Sequence, residues 1–244
     1  MENIKLKKIP KVAFPSVVDY DIDVQDEKVV DLKGISDRIV CASDYFSQGV
    51  PGAPKSCYLR EGAADLLVKA AESLPDGLML KVFDGWRPYV VQKRLWNMYY
   101  ADVKNNPANK GLPEEELIKK TSFYVSNPET PITKPFLHNT GGAVDVTIID
   151  KNYKELDMGT GFDAFGDKAW TNYYEETAEG QLDLIIKENR RLLYWTMINA
   201  GFTNLPSEWW HYDYGTKFWG YFKNTAALYL GLPSLDNIKV FPLK

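Results

Sequence analysis

The chain has 244 residues, of which 45% are apolar, and its 29 basic and 33 acidic side chains give a net charge of −4. This length and apolar content suit one sizeable core, so we predict a single domain over residues 1–244. The slight negative charge argues against a nucleic-acid partner, because it offers little attraction to a phosphate backbone. An apolar stretch of 18 residues is absent, so we expect a soluble chain without membrane insertion.

The N-terminal segment and the cysteines bear on the compartment. Pro10 and Pro15 interrupt the segment, and no apolar run follows before Asp19, so we see no signal peptide. We therefore expect a cytoplasmic protein, with export left open in case a leader precedes this sequence. Cys41 and Cys57 show no C-x-x-C spacing, which favours two reduced thiols, although a disulfide would suit an exported protein.

Apolar spacing predicts a mixture of helices and strands, which places the chain in the α+β class. The predicted helices are Glu61–Leu74, Arg87–Lys104, Pro113–Lys120 and Gln181–Ala200, and the predicted strands are Leu78–Phe83 and Ala143–Ile149. Pro88 and Pro113 are expected at the first position of their helices, and Gly201 is expected to end the last one. The second strand alternates, so Asp145 should face away from Val144 and Val146.

The chain contains two histidines, and each lies near a carboxylate. His138 precedes Asp145 by seven positions, and the turn between them contains Gly141-Gly142, so both side chains could reach one ion. Zinc accepts such nitrogen and oxygen ligands. Taken alone, this pair is weak evidence, because a hydrogen-bonded loop histidine near an unrelated aspartate is the more ordinary interpretation.

A second cluster strengthens the first. Glu208 stands three positions before His211, and two tryptophans separate them. On a regular strand Glu208 and His211 would face opposite ways, so a shared site requires a break in the strand, which we predict just after Pro206-Ser207. Trp209 and Trp210 are expected to pack in the core and to exclude water. Without His211, a surface position for Glu208 would be favoured; the two clusters together predict a zinc peptidase.

A third segment places an arginine at a strand-to-helix corner. Arg87 follows Asp84 by three positions. Its guanidinium could direct a permanently charged donor at an oxyanion, or the two side chains could form a salt bridge that fixes the corner. The residue types support both interpretations equally.

These segments resemble the zinc-dependent D-alanyl-D-alanine dipeptidases of the vancomycin-resistance type, within the group of D-Ala-D-Ala carboxypeptidases and hedgehog-like folds. The resemblance covers about residues 30–225, and its segments are A-S-D-Y-F at 42–46, C-Y-L-R at 57–60, D-G-W-R-P at 84–88, H-x-x-G-x-A-x-D at 138–145, D-M-G-T-G-F-D at 157–163 and E-W-W-H-Y at 208–212. The D-M-G-T-G-F-D segment resembles the dipeptidases rather than the shorter carboxypeptidases or phage endolysins. The resemblance implies a central antiparallel sheet flanked by helices, with a zinc site on the sheet.

The resemblance also implies roles for the site residues. His138, Asp145 and His211 would bind one Zn²⁺, Glu208 would act as general base and then general acid, and Arg87 would stabilise the developing oxyanion. Three protein ligands leave a fourth position for water, whose pKa zinc lowers to about 7. Glu208 would take the proton of that water as it attacks the peptide carbonyl and pass it to the leaving amine.

Three more residues are assigned through the resemblance. Asp84 would hold Arg87, and Asp157 would belong to the substrate-binding region; neither would contact zinc. The family carries serine two residues before the first zinc histidine, whereas this chain has Phe136. Phenylalanine cannot hydrogen-bond a bound dipeptide, so the departure bears on substrate preference.

The expected substrate is a small D-amino-acid dipeptide, D-Ala-D-Ala, held in a closed pocket. A carboxypeptidase acting on longer cell-wall peptides would differ only in the closure of that pocket. Non-haem iron oxygenases also use two histidines and a carboxylate, but they usually place the carboxylate two positions from the first histidine. A non-catalytic peptide-binding relative would need neither Glu208 nor Arg87. Oligomeric state is not predicted.

Overall fold

The computed structural model describes residues 6–13, 20–131 and 133–235. Residues 1–5 and 14–19, which form part of the segment examined for a signal peptide, lie outside these ranges. The strands are Val29–Asp31 (β1), Ile39–Cys41 (β2), Tyr58–Arg60 (β3), Leu78–Asp84 (β4), Ala143–Asp150 (β5), Thr203–Asn204 (β6) and His211–Asp213 (β7). The α-helices are Asp44–Ser47 (α1), Glu61–Ser73 (α2), Tyr89–Asn105 (α3), Glu114–Tyr124 (α4), Tyr173–Thr177 (α5), Gly180–Ala200 (α6) and Lys217–Lys223 (α7). Short 3-10 helices cover Pro107–Asn109, Leu137–Thr140 and Asp167–Ala169.

The central sheet has five strands in the order β2-β4-β5-β7-β6, and β1 pairs with β3 in a separate two-stranded sheet. Neighbouring strands of the central sheet are antiparallel except for the β2–β4 pair, which is parallel. The predicted α+β class and the antiparallel-rich central sheet flanked by helices are therefore confirmed, with one parallel pair at the edge.

All six predicted elements form, with shifted ends. Pro88 and Pro113 both have extended backbones, at ψ 155, so each precedes its helix instead of occupying the first helical position. The helices therefore begin at Tyr89 and Glu114, and α4 continues to Tyr124, four residues past the predicted end. The unpredicted strands are only two or three residues long, which is too short for a periodic pattern to reveal.

The core fills one face of the sheet. Val144, Val146 and Ile148 of β5 point into it, together with side chains of α2 and α6 such as Leu67 and Met197. Trp209 and Trp210 are 2% and 0% exposed and join the same core, as predicted. Asp145 consequently lies on the opposite face of β5, where the candidate site is formed.

Two further findings concern the membrane and the cysteines. Within the described ranges, no helix has the length and apolar character needed to cross a membrane. Cys57 is buried and Cys41 is half-buried, and both are free thiols, in line with the favoured prediction.

Candidate metal centre

His138 lies in the 3-10 helix Leu137–Thr140, which Gly141 ends in the left-handed conformation at φ 75. The imidazole is 5% exposed. Its Nδ1 lies 2.8 Å from the carbonyl oxygen of Gly85, which can only accept a hydrogen bond. Nδ1 must therefore carry the proton, and the lone pair of Nε2 is directed toward Asp145 and His211.

Asp145 and His211 are brought together by the sheet register. Asp145 of β5 lies directly opposite His211, the first residue of β7. On the other side, a bulge between Val82 and Asp84 places Asp84 of β4 opposite Asp145 as well. Asp84, Asp145 and His211 thus form one row across three neighbouring strands.

The predicted break between Glu208 and His211 is confirmed. The chain turns over residues 206–210 before β7 begins, and the amide of His211 donates to the carbonyl oxygen of Glu208 at 3.3 Å. The turn lets the side chains of Glu208 and His211 face the same side of the sheet. Glu208 Oε2 lies 3.9 Å from His211 Nδ1, and the Glu208 side chain is 16% exposed.

Donor atoms of three residues converge at the centre of the cluster, and we call this group the donor triangle. His138 Nε2 and His211 Nδ1 are 3.1 Å apart. The carboxylate of Asp145 places Oδ1 3.1 Å from His211 Nδ1 and Oδ2 3.3 Å from His138 Nε2. Ligands about 2.0–2.1 Å from a tetrahedral zinc lie about 3.3 Å from one another, so the triangle has the required size. Burial opposes ionisation of Asp145, but the adjacent His138 and His211 hold the pKa of its carboxyl well below the usual range. The residues present therefore fit a tetrahedral metal with one position left for another ligand.

A further acid, Asp213, was missed by the sequence analysis. Its Oδ2 lies 3.2 Å from His211 Nε2, and its Oδ1 accepts a hydrogen bond from Thr216 Oγ1 at 2.8 Å. Asp213 is fully buried. Because a carboxylate holds the proton on Nε2, the Nδ1 lone pair of His211 is free to bind a metal. The H-Y-D sequence, with an acid two positions after a histidine on a strand, was the available signal.

Glu208 faces the donor atoms from the turn. Burial raises the pKa of its carboxyl to about 8. A nearby divalent cation would favour the ionised form. The group is therefore placed where it can exchange a proton with a reacting molecule near neutral pH.

Arg87 combines the two interpretations left open by its sequence. Its Nε donates to Asp84 at 2.7 Å, and its Nη1 donates to Gln92 at 3.0 Å. Its Nη2 lies 3.3 Å from the Tyr45 hydroxyl and 3.4 Å from Asp145 Oδ2. The salt bridge to Asp84 is present, and the guanidinium also lines the cleft above the donor atoms. The surrounding Tyr45, Asp84 and Asp145 offset the effect of burial and raise the pKa of Arg87 above its ordinary value.

Phe136 and Asp157, the remaining predicted site residues, differ in their position relative to the cleft. Phe136 is 4% exposed and lines the cleft beside the cluster. Asp157 is not brought to the cleft; its Oδ1 accepts a hydrogen bond from the amide of Gly159 at 2.8 Å and so shapes the local turn. A role for Asp157 in substrate binding stays a prediction.

Asp163, the other acid of the D-M-G-T-G-F-D segment, lines the cleft instead. Its backbone is in the left-handed region at φ 58, which aspartate tolerates better than most residues. Its Oδ2 accepts a hydrogen bond from the Tyr45 hydroxyl at 2.6 Å. Burial raises the pKa of the Asp163 carboxyl to about 7. The motif pointed to this segment, but it did not distinguish between its two acids.

Comparison with known proteins assigns the chain to a family. The sequence profile described as D-ala-D-ala dipeptidase, Peptidase M15, matches residues 27–225, close to the predicted limits. A D-alanyl-D-alanine dipeptidase from a Synechocystis species is 32% identical over 197 residues, which cover 72% of this chain and 77% of the relative. Proteins with the same name from Escherichia coli K12 and Enterococcus faecium are 27% and 31% identical over 177 and 157 residues, covering 72% and 61% of this chain and 76% and 69% of the relatives. The chain belongs to the D-Ala-D-Ala dipeptidase family and is a hydrolase of the metallopeptidase type.

Proposed function

We propose that this chain hydrolyses the free dipeptide D-Ala-D-Ala and that His138, Asp145 and His211 hold one Zn²⁺ for this reaction. The observation that carries the proposal is the triangle of donor atoms, 3.1–3.3 Å on each side, with Glu208 directly beside it. The names of the relatives supply the substrate, because each is called a D-alanyl-D-alanine dipeptidase.

The donor set suits zinc. Two imidazole nitrogens and one carboxylate oxygen form a common set for catalytic zinc, whereas Mg²⁺ and Ca²⁺ prefer oxygen ligands alone. When bound, zinc supplies a Lewis acid that polarises a carbonyl oxygen and lowers the pKa of water to about 7.

Glu208 moves the proton. Its carboxylate accepts the proton of the attacking water and then gives it to the nitrogen of the leaving D-alanine. Burial raises the pKa of this carboxyl, whereas a nearby divalent cation lowers it, so the group can both bind and release a proton. Trp209 and Trp210 pack in the core and anchor the turn that carries Glu208.

Arg87 stabilises the negative charge that develops on the carbonyl oxygen. Hydrogen bonds from Nε and Nη1 to Asp84 and Gln92 fix the plane of its guanidinium, so no reorganisation is needed when the charge appears. Lysine could not reproduce this arrangement, because its ammonium lacks the rigid fork of donors.

Asp163 binds the free amino group of the dipeptide. Of the acids that line the cleft, Asp145 belongs to the donor triangle and Glu208 transfers protons, which leaves Asp163 to pair with the substrate ammonium. No hydrogen bond to its Oδ1 is recorded from the described residues, so this oxygen is available. The cavity beside the triangle has a volume of only about 50 Å³, which favours a small substrate.

The test measures release of D-alanine from D-Ala-D-Ala and from a pentapeptide ending in D-Ala-D-Ala, with added zinc and with a chelator. We expect cleavage of the dipeptide alone, its loss on chelation and its recovery when zinc is restored. The E208Q variant serves as the control for contaminating peptidases, because it keeps the three ligands. Release from the pentapeptide would instead indicate a carboxypeptidase, and no release from either substrate would refute a D-Ala-D-Ala peptidase.

A further inference from the structure

A second and larger cleft adjoins the catalytic one. Its volume is about 500 Å³, within the range of about 300–1,000 Å³ usual for ligand pockets. Four residues line both clefts: Tyr99, Tyr124, Asp163 and Phe165. The two clefts are therefore direct neighbours, and the proposed reaction gives the outer cleft no role.

The outer cleft is formed by matching faces of α3 and α4. Its residues at 99, 102 and 103 of α3, and at 106 just after the helix, recur at the spacing of one helical face. Lys120 and Tyr124 contribute one face of α4 in the same way. Phe165 packs edge-on against Tyr99 and Tyr124, with ring centroids 5.1 and 5.4 Å away. These three rings form an apolar surface that both clefts share.

Asp163 lies at the junction of the two clefts. If it binds the substrate ammonium, the carbon that bears this ammonium also lies at the junction. The side chain on the same carbon then has two directions available, toward the donor triangle or toward the outer cleft. Only the outer cleft has space for a side chain much larger than the methyl group of alanine.

The outer cleft carries two opposite charges, Asp102 and Lys120. Lys120 keeps its positive charge and donates to Asn109 Oδ1 at 2.7 Å. Asp102 forms no ion pair within the described ranges, and its side chain is exposed at the cleft. A long side chain with an apolar stem and a cationic end would place its stem on the rings and its charge near Asp102.

We propose that the outer cleft binds the side chain of the N-terminal residue of the substrate, so that dipeptides with a long basic N-terminal residue and a C-terminal D-alanine are substrates. This inference rests on the proposed function, since it requires cleavage at the donor triangle. It adds a substrate class, and it gives Tyr99, Asp102 and Tyr124 roles in specificity.

The experiment compares kcat/KM for D-Ala-D-Ala, D-Lys-D-Ala and D-norleucine-D-Ala. D-norleucine keeps the stem of lysine without its charge. We expect D-Lys-D-Ala to be cleaved at least as efficiently as D-Ala-D-Ala; a lower kcat/KM for D-Lys-D-Ala overturns the inference and leaves the proposed function intact. Failure to cleave all three would refute both.

Variants then locate the effect. A108W should fill the outer cleft from an exposed position and lower the kcat/KM ratio of D-Lys-D-Ala to D-Ala-D-Ala about tenfold. A101W is the matched control, because Ala101 is also exposed but lies on the opposite face of α3, and it should leave this ratio unchanged. D102N should lower the ratio of D-Lys-D-Ala to D-norleucine-D-Ala about twofold to fivefold, as expected for one exposed ion pair. Unchanged ratios in A108W and D102N would overturn the assignment of the cleft.

Discussion

The two walls of the catalytic cleft are built differently. One, the ligand wall, consists of His138, Asp145 and His211, supported from behind by Asp213. These residues are 0–5% exposed and are fixed by strand register or by hydrogen bonds to their second polar atoms. The other, the helical wall, consists of Tyr99 of α3, Tyr124 of α4 and Phe165, which lies in a loop against them. These residues are half-buried and contact one another only through ring packing.

This difference predicts separate roles for the two walls, turnover for the ligand wall and substrate preference for the helical wall. Hydrogen-bonded polar atoms tolerate little displacement, so the ligand wall keeps its donor atoms at fixed distances. Ring contacts are worth about 0.5–1.5 kcal/mol each and permit several geometries, so the helical wall can change without loss of the site. Changes to the ligand wall should therefore abolish turnover, whereas changes to the helical wall should alter substrate preference.

The largest effect is expected for H138A. Removal of one of three ligands should abolish zinc binding and, with it, D-Ala-D-Ala hydrolysis. The measurement is the zinc content after dialysis, together with kcat. Asn139→Ala, which changes the adjacent residue of the same 3-10 helix, is the comparison variant. Equal amounts of zinc in H138A and in the unchanged protein would exclude His138 as a ligand.

The next largest effect is expected for E208Q. This variant should bind zinc normally but lower kcat by about 10²–10⁴-fold, because a glutamine amide cannot accept the proton of water. Steady-state kinetics and zinc analysis of the same preparation provide the test. A kcat within threefold of the unchanged enzyme would remove Glu208 from the reaction.

A smaller effect is expected for D213N. The loss of the carboxylate that orients His211 should weaken zinc binding about 10- to 100-fold while the three ligands remain. Competition with a zinc chelator of known affinity measures this change. T216V is the milder variant for comparison, because it removes only the hydroxyl that donates to Asp213. An unaltered zinc affinity in D213N would show that the sheet alone orients His211.

The smallest effect is expected on the helical wall. Y99L removes the ring that contacts Phe165 and should raise KM for D-Ala-D-Ala about twofold to tenfold, with kcat and zinc affinity unchanged. A loss of zinc or a large fall in kcat would contradict the division between the two walls.

The sequence predicted the ligand wall better than the helical wall for a physical reason. His138, Asp145 and His211 lie in short motifs with local turns, so their proximity in sequence to glycines and carboxylates indicated a shared site. Asp213 was missed because its role depends on the tautomer of His211, which becomes evident only when Gly85, Asp145 and Asp213 are placed around the two rings.

The outer parts of the cleft could not be predicted in the same way. Tyr45 lies 118 positions from Asp163, so no local pattern joins these two residues. The choice between Asp157 and Asp163 depends on a left-handed backbone at residue 163, which the motif letters do not specify. The fold class was predictable because β5 and α6 are long enough to show their periods, whereas strands of two or three residues are defined only by their partners.

The row formed by Asp84, Asp145 and His211 has a consequence for folding. A shift of β7 by one residue along β5 would turn His211 toward the core face and bring Tyr212 toward the metal side. The donor triangle therefore exists only after β5 and β7 have paired in the native register, although Asp145 and His211 are 66 positions apart in the chain. Zinc bound as proposed would then stabilise the native register over slipped pairings, because only the native register offers all three donors.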